Sequence, residues 1–226
     1  MRYYEGNEQL RLILLGAPGT GKGTQGNILA RKLNIPKIST GDILREALQK
    51  KTELGLQAQK YMEKGELVPD EIIIGIVKER LQDKDCENGF ILDGFPRTVP
   101  QAIALDTYLE SQDQKIDTVI ALEVEQSKLV KRLTSRRVCK KCGKDYNVIT
   151  NPPPSDMKCT ECGGEVIQRA DDNEQTVVNR LQIYEEKTFP LKEYYTMKGN
   201  LKIFDGDGTI EDIQRNIQEY LSVDNN

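Results

Sequence analysis

The 226-residue chain contains no histidine. It therefore lacks the side chain that most often serves as general base near neutral pH, which would make a reaction that must deprotonate an alcohol awkward. No apolar stretch approaches the roughly 20 residues of a membrane span, and the opening MRYYEGNEQL has no signal-peptide core. A cytoplasmic location with no membrane partner is the default expectation. Neither an internal repeat nor a low-complexity tract is present. Charge of one sign is also missing: 32 Lys and Arg face 36 Asp and Glu, a net charge of −4. That balance argues against broad electrostatic binding of nucleic acid while leaving room for a local basic cleft. A chain of this length makes one or two domains with ample buried core. The first ten residues and the end Val223-Asp224-Asn225-Asn226 are expected to be loose.

What is present begins with Gly16 to Thr24, GAPGTGKGT, directly after the apolar run Leu12-Ile13-Leu14-Leu15. The segment fits G-x-x-x-x-G-K-[ST] at Gly16, Gly21 and Lys22, except that Gly23 occupies the hydroxyl position and Thr24 follows. Gly16, Gly19, Gly21 and Gly23 lack a Cβ, so the backbone can turn tightly and aim successive N–H groups at an anion. A helix beginning near Lys22 adds its positive end, and Lys22 brings a mobile full charge to the β- and γ-phosphates. A glycine-rich turn without a ligand is the bland alternative; the strand before, the helical run after and the lysine offset all speak against it.

The five cysteines sort by spacing. Cys139-Lys140-Lys141-Cys142 and Cys159-Thr160-Glu161-Cys162 are two C-x-x-C knuckles at a separation usual for a closed, tetrahedral structural zinc site. A disulfide pair or redox motif competes, disfavoured by a reducing cytosol and by the matching of the knuckles. Cys86 stands alone and reads as an ordinary small side chain.

RLILL, PKIST, GFILD, DTVIALEV and LKIF read as strands, separated by longer amphipathic helical patterns. Such alternation predicts an α/β fold, a parallel sheet with helices on both faces. Two segments interrupt it. From about Ser39 to Val68, the helix-start sequence Ser39-Thr40-Gly41-Asp42 precedes two helical stretches with no strand between. From about Ser135 to Asp172 lie both knuckles, the loop-forming Asn151-Pro152-Pro153-Pro154 and little helical periodicity, in a segment too poor in apolar residues to fold without a metal. The expected division is a core of residues 1–38, 69–134 and 173–226, an insertion of 39–68 and a lid of 135–172.

Arginines add a further layer. Arg132 and Arg136 are four apart on the helical pattern Ser127 to Arg137, and Arg97 and Gln101 stand in the same relation after Asp93-Gly94-Phe95-Pro96. Like charges four apart destabilise a helix unless an anion lies between them, and a polyphosphate is such an anion. Pairing with surface carboxylates is the competing explanation for any single arginine.

GAPGTGKGTQ, Ser39-Thr40-Gly41-Asp42 with Arg45, GFILDGFPRT at Gly89 to Thr98, Gln101, and Arg169-Ala170-Asp171-Asp172-Asn173 leading to Arg180 together resemble adenylate kinases of the long-lid, zinc-containing bacterial type. The resemblance runs from Leu10 onward, and Gly23 is what that family carries where GTPases have Ser or Thr; the first nine residues or so have no counterpart. It implies a P-loop three-layer fold with a helical monophosphate-binding insertion and a small zinc-bearing lid. It also implies ATP phosphates on Gly19, Thr20, Gly21, Lys22, Gly23 and Thr24, and an AMP pocket from Thr40, Arg45, Glu66, Leu67, Val68, Gly94, Phe95, Pro96, Arg97 and Gln101. By the same resemblance Gln101 meets the adenine edge and Arg45 and Arg97 the α-phosphate. Arg132, Arg136, Arg169 and Arg180 surround the transferring phosphates, Asp145 and Tyr146 lie near the ATP base or ribose, and Asp93 orients water on Mg²⁺. Cys139, Cys142, Cys159 and Cys162 hold Zn²⁺. Gly208 stands where relatives contact ATP near the chain end and offers only its backbone.

The implied reaction is ATP plus AMP giving two ADP. The missing histidine is then no handicap, because the nucleophile is a phosphate oxygen whose second pKa is about 6. Catalysis reduces to alignment and charge neutralisation, behind lids that keep water from replacing AMP; adenylate kinases are a standard example of such closure. A kinase for GMP or UMP shares the loop and arginines, although Gln101 and Thr40 tilt toward adenine. A zinc ribbon binding nucleic acid on an ATP switch is supported by Lys140, Lys141 and Lys144, but aromatics for base stacking are sparse there. A monomer is expected, since no exposed apolar helix face is evident.

Overall fold

The computed structural model describes residues 9–221. Five parallel strands form the central sheet: β1 (Leu10–Leu15), β2 (Lys37–Ser39), β3 (Gly89–Asp93), β4 (Thr118–Glu123) and β8 (Leu201–Asp205), in the order β2-β3-β1-β4-β8. β1 lies at the centre, with β3 and β4 as its neighbours, because all six of its residues are buried and all but Arg11 are apolar.

Successive side chains of the strands serve opposite layers. Ile13, Leu15, Phe90, Leu92, Val119 and Ala121 pack with Leu105 and Leu109 of α5 (Val99–Glu110), Val77 of α4 (Asp70–Arg80) and Tyr195 of α8 (Leu191–Met197). Leu12, Leu14, Ile91, Ile120 and Leu122 pack with Leu29 of α1 (Lys22–Leu33) and Ile213, Ile217 and Leu221 of α9 (Ile210–Leu221). The expected three-layer arrangement is what forms.

The two interruptions also have distinct structures. Between β2 and α4 the chain forms α2 (Thr40–Gln49) and α3 (Glu53–Lys64), α2 opening on Ser39, whose hydroxyl accepts from the Asp42 N–H at 3.3 Å. This cap is why PKIST is strand only through Ser39. After α6 (Gln126–Thr134), the strands β5 (Arg136–Cys139), β6 (Asp145–Asn147) and β7 (Val166–Ile167) make a separate antiparallel sheet in the order β6-β5-β7. A helix α7 (Glu174–Ile183) and a π-helical turn Tyr184–Thr188 lead into α8.

Two sequence expectations need correction. The helical pattern Ser127 to Arg137 ends at Thr134, and Arg136 stands on β5 opposite Asn147. Arg132 and Arg136 therefore do not share a helix face: backbone pairing with β6 draws Arg136 out of the helix. Arg97 likewise precedes α5 rather than lying on it; Thr98 is the N-cap and accepts from the Gln101 N–H at 3.2 Å. Val223 to Asn226 and most of the first ten residues lie outside the described residues, and Leu10 is already a buried part of β1.

Candidate nucleotide site

The chain leaves β1 toward β2 on one side of the sheet and leaves β3 for β4 on the other, so the carboxyl end of β1 is a topological switch point where open α/β sheets form a crevice. The glycine-rich loop fills it. Gly16, Gly19 and Gly21 take φ of 144°, 89° and 95°, and a Cβ on Gly16 would lie 2.5 Å from the Leu122 carbonyl oxygen. The loop thus needs glycine both for its turn and for its approach to β4. Lys22 opens α1 and folds back over the loop, its Nζ donating to the carbonyls of Gly16 at 2.6 Å and Ala17 at 2.8 Å. Burial lowers its pKa to about 8; Asp93 opposes that shift, while Arg97, Arg180 and Arg136 add to it.

Three of the sequence-predicted arginines, Arg97, Arg136 and Arg180, act on Lys22, and Arg169 joins them beside Arg136. Burial brings Arg97 down to about 10, with the charge of Arg180 adding to the shift, and Arg169 down to about 10, with Arg136 adding. Arg180 is lowered for the same first reason. Arg136 goes the other way: burial opposes its charge, but the hydrogen bonds to Asp172 together with the negative charges of Asp172, Asp145 and Asp171 outweigh it. Arg136 Nε and Nη2 donate to the two Asp172 carboxylate oxygens at 2.8 and 2.6 Å, and Arg180 Nη1 reaches Asp171 Oδ2 at 2.9 Å and Asp172 Oδ1 at 3.3 Å. Asp172 is fully buried. Arg169 lies 3.5 Å from Asp145, and its Nε has no hydrogen-bond partner.

Arg132 is not part of that cluster. Its Nη1 donates to the Gly206 carbonyl at 3.0 Å and its Nη2 to Asp207 at 2.7 Å, over the turn from β8 to α9. Gly206 is buried there, and a Cβ on it would lie 3.2 Å from the Thr20 carbonyl oxygen; Gly208 is exposed. Tyr146 is buried, with its hydroxyl on Cys159 Sγ at 3.4 Å and on Thr160 Oγ1 at 3.0 Å, so its phenol packs into the cysteine cluster. Asp145 and Asp93 face the start of α1, each with Oδ2 3.7 Å from the point where Gly23 would carry a Cβ.

Beside the loop lies a cavity lined by Thr40, Arg45, Glu66, Leu67, Val68, Gly94, Arg97, Gln101 and Arg180 of the predicted residues, together with Asp171. Phe95 and Pro96 are buried, and neither they nor Arg169 line it. Thr40 Oγ1 donates to the Gly94 carbonyl at 2.9 Å, which ties α2 to the end of β3. Sequence reasoning missed three partners of these residues. Asp70 accepts from Thr98 and Gln101, Lys37 lies 3.6 Å from Asp93, and Asp172 anchors Arg136. Only the adjacency of Asp171 and Asp172 to Arg169 was visible in the chain; Asp70 and Lys37 carry no local signal.

The four predicted cysteines converge, with all Sγ atoms within 4.8 Å of one another. Cys139–Cys162 and Cys142–Cys159 approach at 3.4 and 3.5 Å, far beyond the roughly 2.05 Å of a disulfide. A regular tetrahedron with metal–sulfur bonds of about 2.3 Å has edges of roughly 3.8 Å, so the cluster fits zinc. The N–H groups of Lys141 and Glu161 point at Cys139 and Cys159 Sγ at 3.4 Å each, as thiolates require. Gly164 completes the wall: a Cβ there would lie 2.9 Å from Cys139 Sγ and 2.8 Å from Lys141 Cβ.

No helix among the described residues is long and apolar enough to cross a membrane. The chain matches the family model described as Adenylate kinase over residues 14–200. An adenylate kinase of Archaeoglobus fulgidus is 55% identical over 212 residues, covering 94% of this chain and 98% of that protein. One from Caldicellulosiruptor bescii is 52% identical over 95% of this chain and all of its own length, and one from a Geobacillus species 50% identical over 94% and 98%. With a phosphate loop at the switch point of the sheet, and half or more of the residues shared across nearly the full length of these relatives, the chain belongs to the adenylate kinase family.

Proposed function

We propose that this chain catalyses the reversible reaction ATP + AMP = 2 ADP. The observation that carries the reading is that two stations, the glycine-rich loop and the cavity between α2, α3 and β3, share one arginine cluster, so that phosphates bound at both would meet between the same guanidinium groups. The triphosphate would lie on Gly19 to Thr24. AMP would occupy the cavity, its phosphate between Arg45, Arg97 and Arg180.

The chain's own groups account for the chemistry. An AMP phosphate oxygen, largely ionised at neutral pH, attacks the terminal phosphorus of ATP, the bond to the bridging oxygen breaks, and the electron pair leaves on ADP. Lys22, Arg136, Arg169 and Arg180 neutralise the charge spread over the transferring group, and no side chain has to remove a proton. Arg132, reaching from α6 to the Gly206 carbonyl on the turn beside Thr20, is placed for the donor nucleotide. Asp93 is proposed to hold the waters of a Mg²⁺ bound to the triphosphate: its carboxylate faces the start of α1 and is an oxygen donor suited to that ion. When bound, the Mg²⁺ supplies positive charge to the β- and γ-oxygens.

Residues 39–68 form the AMP-binding unit in this reading and 135–172 the lid, the remainder being the core. Cys139, Cys142, Cys159 and Cys162 hold Zn²⁺, which replaces an apolar core in the lid and takes no part in the chemistry. One chain supplies every element of the site, in keeping with a monomer.

Three outcomes test the reading. Mixing the protein with ATP, Mg²⁺ and AMP should yield ADP, and Lys22→Ala should lower the rate by at least a hundredfold at unchanged fold, a loss of the size seen when a preorganised transition-state contact is removed; absence of ADP from folded, metal-loaded protein would sink the assignment. ATP binding should draw in protons as the pH rises toward and above about 8, where free Lys22 loses its proton and the bound triphosphate restores it. Affinity should therefore fall with rising pH, and calorimetry in buffers of differing ionisation enthalpy should lose the uptake in Lys22→Met. Cys139→Ser and Gly164→Ala should both reduce retained zinc, read by a chromogenic chelator, and lower Tm while leaving low-temperature turnover largely intact.

A further inference from the structure

Gln101 is almost wholly buried, at 2% exposure, yet lines the cavity, and both ends of its amide are engaged. Oε1 accepts from the Arg97 N–H at 2.7 Å, and Nε2 donates to Asp70 Oδ1 at 2.7 Å. Neither partner can change its role. A backbone N–H only donates, and a carboxylate only accepts. Exchanging the amide oxygen and nitrogen would set donor against donor at Arg97 and acceptor against acceptor at Asp70.

Both partners are themselves held. Asp70 stands in the first turn of α4, where negative charge is favoured, and its second oxygen accepts from Thr98 Oγ1 at 2.8 Å. Arg97 is fixed through its carbonyl, which accepts from Thr188 Oγ1 at 2.8 Å across the π-helical turn, and through its Nε, which donates to the Gly94 carbonyl at 2.8 Å.

An amide has two acceptor lone pairs and two N–H donors. With one of each spent, Gln101 keeps one acceptor on Oε1 and one donor on Nε2. Adenine presents the matching pair, an amino donor at N6 and an acceptor at N1. Hypoxanthine and guanine present the reverse, an acceptor at O6 and a donor at N1. Resting on the reading that AMP occupies this cavity with its base at Gln101, we infer that Asp70 is a specificity-determining positioning residue. It locks the Gln101 amide in the orientation that accepts 6-aminopurine and rejects 6-oxopurine monophosphates, without touching the nucleotide.

In Asp70→Asn the side chain can offer either a donor or an acceptor, so turning the Gln101 amide costs one mismatched contact, at Arg97, instead of two. The ratio of kcat/KM for AMP to that for IMP should fall by about tenfold, the size of one buried mismatch, with preference for AMP reduced but not abolished. Asp70→Ala, which removes the acceptor altogether, should shift the ratio in the same direction. Calorimetric binding of AMP and IMP without ATP should repeat the shift independently of turnover, and thermal melting should verify the fold. A merely structural role for Asp70 would lower both acceptors equally; an unchanged ratio in folded Asp70→Asn and Asp70→Ala overturns the inference. If the wild type transfers to AMP and IMP equally well, or to neither, the underlying reading of the cavity fails as well.

Discussion

Everything in the crevice depends on bringing like charges together where water cannot screen them. Burial is the first cause that lowers the pKa of Lys22, Arg97, Arg169 and Arg180, and the like charges around each add to it, whereas Arg136 is held charged by its carboxylates. The protein holds them with carboxylates placed at the edge of the cluster: fully buried Asp172 takes Arg136 and Arg180, Asp171 takes Arg180, and Asp145 approaches Arg169. Such an arrangement is costly without an anion and becomes favourable when polyphosphate enters, which confines the stabilisation to the moment when it is useful.

The scaffold that permits this is the central strand. β1 is buried on both faces, so it fixes the point where the chain crossings diverge, and the loop that follows has no alternative but the crevice. From the other side the ends of β2 and β3 arrive in register, Ser39 opposite Asp93, and set Thr40, Gly94 and Arg97 around the cavity. The small sheet of β5, β6 and β7 is built on a different principle. Its short strands bury few apolar side chains, and Tyr146 spends its hydroxyl on the cysteines, so the sulfur cluster does the work of a core.

Much of this was legible along the chain because it is local. The glycines of the loop, the C-x-x-C knuckles and the apolar runs of β1, β3 and β4 express their physical requirements within a few residues. Reading failed where a residue's place depends on a distant partner. Arg136 continues a helical pattern by sequence, but pairing with β6 carries it onto a strand, where it meets Asp172 thirty-six residues on. Arg132 resembles its neighbour in sequence and sits instead over the turn at Gly206 and Asp207. Tyr146 is buried with its hydroxyl on Cys159 and Thr160, contacts made across thirteen and fourteen residues that no local pattern marks.

The sequence by itself determined the class of the protein: an α/β sheet, a phosphate loop after its first strand, a four-cysteine segment set apart from the core, and a set of arginines suited to a polyphosphate. Spacing and periodicity carry that information, since glycine turns, thiolate knuckles and buried strands are short-range demands. Tertiary structure alone decided which arginines converge, which carboxylates hold them, and how the Gln101 amide is turned. Those outcomes rest on contacts such as Gln101 to Asp70 and Thr188 to Arg97, made between residues 31 and 91 positions apart, and no local pattern encodes a hydrogen bond of that span.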